Sequence, residues 1–125
     1  MIEKLATGLA VNRILFGIGY LIAPAQTGRG WIGPMADREQ TAVFTRALGA
    51  RDLALGAGAL WALRSGRGQA RQWFMAHAVA DSTDLVATLR ARDALPRSGF
   101  RLAAVMAAGS TAIAAAAAIS LRRSF

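Results

Sequence analysis

Four long apolar stretches, separated by short polar segments, set the pattern of this chain. They run from Leu5 to Ala23, from Ala42 to Leu63, from about Gln69 to Leu89 and from Phe100 to Leu121. Ala, Leu and Gly dominate, with few β-branched residues outside the first and last stretches, which is a helical bias. The spacing predicts helices over about 3–23, 37–63, 69–90 and 99–121. A helix of a soluble bundle carries polar residues on its outer half. Phe100 to Leu121 instead holds one charge, Arg101 at its start, with only Gly109, Ser110, Thr111 and Ser120 as relief. About 20 such residues match the hydrocarbon thickness of a bilayer. The pattern therefore predicts an all-α fold, a four-helix transmembrane bundle forming one domain over 1–125, against the rival of a soluble four-helix bundle.

The connections carry punctuation of their own. Pro24 favours a helix boundary just before it. Ala23-Pro24-Ala25 looks like a signal-peptide cleavage site, but Asn12 and Arg13 split the apolar stretch, so the first helix is expected to be retained. Residues Ala25 to Met35, with Gly28, Gly30, Gly33 and Pro34, read as the longest flexible connection, and Trp31 as an interfacial residue. These glycines lack a preceding strand and a Gly-Lys-Ser/Thr ending, so they are a turn and not a phosphate loop. Asp37, with Gln40 three positions on, is an expected helix cap. Trp61 and Trp73 flank the Arg64-Ser65-Gly66-Arg67-Gly68 turn, as two helices meeting one membrane surface would place them. Ala114 to Ala118 reads as a tight packing surface.

Composition adds three constraints. The chain has 125 residues, 54% of them hydrophobic and 18% charged, with a net charge of +8 and no Cys. Without Cys there is no disulfide framework, cysteine metal site or thiol nucleophile. The arginines lie mainly between apolar runs, where lipid phosphates are their expected neighbours, and no aromatic-basic interleaving suits a nucleic acid. Lys and Arg in the connections tie at six on each side: Lys4, Arg64, Arg67, Arg71, Arg122 and Arg123 against Arg29, Arg38, Arg90, Arg92, Arg97 and Arg101. By the positive-inside rule such a balance leaves orientation open, with a lean to cytoplasmic termini and dual orientation as the alternative.

Charge inside the apolar runs is the candidate chemistry. Arg13 interrupts the first helix, and Arg51-Asp52 sits midway along the second. In the third, His77, Asp81, Asp84 and Thr88 fall at i, i+4, i+7 and i+11, lining one face for about 16 Å. Five unpaired charges (Arg13, Arg51, Asp52, Asp81 and Asp84) would cost on the order of 15 kcal/mol to insert, so partners on neighbouring helices are expected. Arg51 lies about 100° around the helix from Asp52, which sends them to different neighbours. Arg51 is expected to reach Asp81 or Asp84, and Asp52 to take Arg13. Arg46, near the start of its span, joins the set or snorkels to the surface. Thr41, Thr45, Gly49, Asp52 and Gly56 form a stripe in which the two glycines admit a neighbouring backbone.

The segments Arg46-Ala47-Leu48-Gly49-Ala50-Arg51-Asp52-Leu53-Ala54-Leu55-Gly56 and Ala80-Asp81-Ser82-Thr83-Asp84, with Arg13 and Pro24, resemble a family of short bacterial and fungal membrane proteins known as a domain of unknown function. The resemblance extends to about Leu89. It implies four membrane helices and supplies no reaction.

Function is thus open among three classes. The first is a non-enzymatic accessory or binding module of a bacterial inner or plasma membrane, taking an apolar small molecule, with ion pairs serving assembly. The second is an intramembrane acid-base enzyme on a lipid or isoprenoid-like substrate, with Asp81, Asp84 and His77 as catalytic candidates and Arg51 orienting an oxygen. The third is a small proton-coupled transporter, disfavoured because Arg13 stands where such proteins carry a glutamate. The same His and Asp residues are a moderate signal for a divalent metal; no metal or cofactor is expected, and a homodimer or larger membrane complex is.

Overall fold

The computed structural model describes residues 1–122, and all of its regular structure is helical. Helix α1 spans Ile2–Ile22. It stops where the sequence indicates, because Ala23 precedes a proline and is forced out of the helical region, to φ −138° and ψ 64°. Its N–H still reaches back to the Gly19 carbonyl at 2.8 Å.

The segment expected to be a flexible connection is instead ordered. Pro24 occupies the first turn of a second helix, α2, spanning Pro24–Ile32, where its fixed φ and missing N–H cost nothing. The helix ends at Gly33, whose φ of 70° and ψ of −146° suit only glycine. A Cβ there would also lie 2.6 Å from the Pro96 ring, so the position is closed to other residues twice over. A 3-10 turn, Gly33–Asp37, follows.

Helix α3 spans Glu39–Ser65. Its N-cap is Arg38, in extended conformation and without a side-chain cap bond. The expected cap, Asp37, is engaged elsewhere: its Oδ1 accepts from Arg29 Nε at 2.6 Å. That hydrogen bond, with the attraction behind it, raises the pKa of Arg29 still further, though the pair is half-exposed and contributes little to stability. Gly66 alone joins α3 to α4, Arg67–Arg90. A 3-10 turn at Arg92–Ala94 and the proline at 96 then lead into α5, Arg97–Arg122. The four long helices begin and end within two residues of their expected bounds.

The long helices form a closed ring: α1 lies along α3, α3 against α4, α4 along α5, and α5 against α1. The α1–α3 contact is backbone on backbone. A Cβ on Gly17 would sit 2.6 Å from the Leu53 nitrogen, one on Gly49 2.8 Å from the Gly17 carbonyl, and one on Gly56 2.6 Å from the Ala10 carbonyl. Gly49 and Gly56 thus do what their spacing suggests. Across the next seam the Trp73 ring lies on Gly58, so Trp73 packs between α3 and α4, while Trp61 is 60% exposed.

One end of the ring has an apolar core of Ala6, Leu9, Ala10, Ala59, Phe74, Ala114, Ala117 and Ala118, consistent with a packing role for the alanine run. The start of α1, the α3–α4 turn and the end of α5 meet at this end, around a hollow shared by Glu3, Arg67 and Leu121. At the opposite end α2 bridges α1 and α5, with the Trp31 carbonyl against Gly99.

Outside, the polarity is inverted. Leu15, Ile22, Val43, Phe44, Val79 and Val105 are each more than 60% exposed. Two helices, α1 and α5, are long and apolar enough to cross a membrane, and only 33% and 22% of their most apolar windows are buried inside the bundle. α3 and α4, interrupted by charge, do not meet the same measure of length and hydropathy.

Candidate functional site

The charged residues of three helices converge into one chain of contacts. Arg13, seven residues before Tyr20 on α1, is 6% exposed. Its Nη1 donates to Asp52 Oδ1 of α3 at 2.9 Å, and its Nη2 donates to Asp81 Oδ1 of α4. Arg51 donates from Nη1 to Asp84 Oδ1 at 3.0 Å and from Nη2 to Asp84 Oδ2 at 2.7 Å. This fork-to-fork geometry is the strong form of the arginine–carboxylate pair. The order Asp81–Arg13–Asp52–Arg51–Asp84 therefore ties α1, α3 and α4 together.

One link in that order differs from expectation. Arg51 also donates to Asp52 Oδ1, from Nε at 3.2 Å and from Nη2 at 3.1 Å. The two Cβ atoms do point apart around the helix. The guanidinium ends four bonds beyond its Cβ, so it folds back over α3 on its way to Asp84 and reaches the neighbour its backbone position faces away from. Asp52 becomes the hinge of the cluster, shared by both arginines.

The remaining candidates divide. Arg46 is exposed and stays outside the cluster, its Nε donating to the Leu21 carbonyl at 3.4 Å near the end of α1. His77 is fully buried, but its Nε2 donates to the Leu55 carbonyl at 2.8 Å and its ring lies 5.4 Å from that of Phe74. Neither aspartate is its partner. Among the described residues no group of three His, Asp or Glu side chains is arranged to hold a metal ion. Thr88, at the far end of the stripe, donates to the Asp84 carbonyl at 2.7 Å and accepts from Trp31 Nε1 at 3.2 Å. Trp31 is thereby held half-buried over the cluster, a placement the interfacial expectation did not provide.

Above the ion pairs lies a cavity of about 150 Å³. Its floor is Arg13, Asp52, Asp81 and Asp84; its walls include Phe16 and Tyr20 from α1, Trp31 from α2, and Leu102, Ala103, Met106 and Ala107 from α5. Sequence reasoning missed Tyr20 and the α5 wall. Tyr20 was detectable, since i and i+7 share a helix face; Ala103, Ala107 and Ser110 fall at i, i+4 and i+7 as well, but small residues carry no signal until a neighbour is known.

The cluster is not fully satisfied. Arg13 Nε, His77 Nδ1 and Asp81 Oδ2 are buried and lack a hydrogen-bond partner. Its formal charge is also unbalanced, with three carboxylates against two guanidiniums. Comparison with family models, with curated proteins and with solved structures finds no match for the chain.

Proposed function

We propose that this chain is a four-helix integral membrane protein, a binding module whose intramembrane Arg/Asp cluster floors a site for an apolar small molecule with a polar group. The observation that carries the reading is the cavity itself: apolar walls, a charged floor, and an apolar exterior around both. In a soluble bundle such an exterior would be a large unsolved liability. In a bilayer it is the ordinary surface, and the buried ion pairs explain how α3 and α4 enter despite their charge. Each charge costs about 2.5–3.5 kcal/mol at mid-membrane when unpaired, and here each has at least one opposite partner. The resemblance of the Gly-Ala-Arg-Asp and Asp-x-x-Asp segments to short four-helix membrane proteins belongs to the same proposal.

The absence of Cys makes the test direct. Single spin labels at Val43, Val79 and Val105 of protein reconstituted in lipid should collide with oxygen and be shielded from a water-soluble nickel reagent. Labels at all three positions that meet the nickel reagent freely would dismiss the membrane reading. For the site, Trp31 should be quenched by tail-brominated amphiphiles in a Trp61→Phe, Trp73→Phe background, and filling the cavity with Ala107→Phe should remove that quenching.

The unpartnered Asp81 Oδ2 favours a second reading, an intramembrane acid-base enzyme acting on a lipid-like substrate. A folded Asp81→Asn protein that still binds its ligand but no longer converts it distinguishes the two.

A further inference from the structure

Asp81 is the least neutralised member of the cluster. Asp84 holds both terminal nitrogens of Arg51, and Asp52 is shared by two arginines. Asp81 has Arg13 alone, on Oδ1, while its Oδ2 has no partner in a residue only 5% exposed. The one negative charge left over from three carboxylates and two guanidiniums therefore falls to Asp81, which lines the cavity. A surplus charge walled off by hydrocarbon is neutralised either by a proton or by a counter-charge, which a cationic ligand would bring.

The lining specifies its kind. Three aromatic side chains, Phe16, Tyr20 and Trp31, share the cavity with that carboxylate. Aromatic rings attract organic cations, and cages of them are how proteins recognise substituted ammonium groups. The single guanidinium in the lining does not invite an anion, because both terminal nitrogens of Arg13 are already on carboxylates. The size agrees: a cavity of about 150 Å³ holds a group of roughly benzene's bulk, which covers a trimethylammonium head but not a whole lipid. The tail has an exit, since the α5 wall continues to Leu102 and Met106, 55% and 38% exposed on the outside of the bundle.

We infer that the cavity binds a single-chain amphiphile with a substituted ammonium head, the head beside Asp81 and the tail leaving between α1 and α5. This rests on the binding-module reading above and names the ligand class for that site.

The full chain in neutral dodecyl maltoside micelles, with Trp61→Phe and Trp73→Phe, reports through Trp31 fluorescence. Dodecyltrimethylammonium, dodecanol and dodecyl phosphate are titrated at matched mole fraction. The cation should reach half-saturation at a mole fraction at least tenfold below the other two, and Ala107→Phe, which changes no charge, should abolish the response. Asp81→Asn, where it folds, should erase the tenfold preference. An equal or stronger response to dodecanol or dodecyl phosphate overturns the ammonium assignment and leaves the binding module standing. No response to any of the three, or an undiminished one in Ala107→Phe, overturns the binding module as well.

Discussion

Arg13 and Arg51 look alike in the sequence and differ in what their removal exposes. Arg13 holds two aspartates from two helices and is 6% exposed; the Arg51 side chain is 33% exposed and its chief partner, Asp84, 20%. Breaking a buried pair by deleting one partner costs about 3–5 kcal/mol, mostly because the other charge is stranded. Arg13→Gln should therefore lose most of the folded protein in a detergent melt followed by size exclusion, whereas Arg51→Gln should lose distinctly less, water replacing part of its contact. Adding Asp81→Asn to Arg13→Gln should recover yield, since the stranded charge is gone. An Arg51→Gln loss exceeding that of Arg13→Gln would show that the weight lies on the Asp52–Asp84 side. The pairing of Arg13 with Asp52 was legible because charge in an apolar run demands a partner. The Arg51–Asp52 contact was not, because angular position on a helix fixes where a Cβ points and leaves the end of a long side chain free. His77 shared the stripe's spacing with the aspartates, yet a helix face alone does not say that a carbonyl of the neighbouring helix, Leu55, lies closer than they do.

At the scale of the helices, glycines divide by what faces them. Gly17, Gly49 and Gly56 sit where α1 and α3 touch backbone to backbone, while Gly8 and Gly109 face open space. Inserting a methyl group into a closed contact costs about 1–3 kcal/mol, and replacing an unconstrained helical glycine by alanine gains about 0.5–1 kcal/mol. Gly49→Ala and Gly56→Ala should each lower the melting temperature, and Gly8→Ala and Gly109→Ala should hold or raise it. A neutral Gly49→Ala would mean that the two helices do not approach as closely as the geometry requires. Gly33 is a third kind: its positive φ and the Pro96 ring both exclude a side chain, so Gly33→Ala should release α2 from the end of the ring and with it the Trp31–Thr88 bond, read as a red shift of Trp31 emission. The long helices were legible from hydrophobic runs and from Pro24 and Gly66. Helix α2 was not, because two glycines within its nine residues and a third directly after it argue for a loop, and what holds the first two helical is tertiary: Gly28 packs against Ala36 and Thr45, and Trp31 is anchored on α4.

For the whole molecule, up-and-down connectivity places the start of α1, the α3–α4 turn and the end of α5 together, with α2 and the α4–α5 connection at the other end. The sequence tally of basic residues by connection is thereby a tally by end of the bundle, save that Arg123 lies outside the described residues. Six against six gives the positive-inside rule nothing to act on. If the bundle spans a bilayer as proposed, the wild-type chain should insert both ways, a carboxy-terminal fluorescent protein and a carboxy-terminal alkaline phosphatase both giving signal. Arg90 and Arg92 are exposed and make no contact with the Arg13–Asp81 cluster. Arg90→Gln with Arg92→Gln leaves four basic residues at that end against six, and should drive the termini to the cytoplasm, silencing the phosphatase. Arg64→Gln with Arg67→Gln, likewise exposed, should do the reverse. Because neither pair touches the ion-pair cluster or the cavity, folded yield should not change in either variant, which separates an effect on orientation from one on stability. A wild-type chain with a single orientation that neither double variant shifts would mean that something other than the charge of the connections orients it.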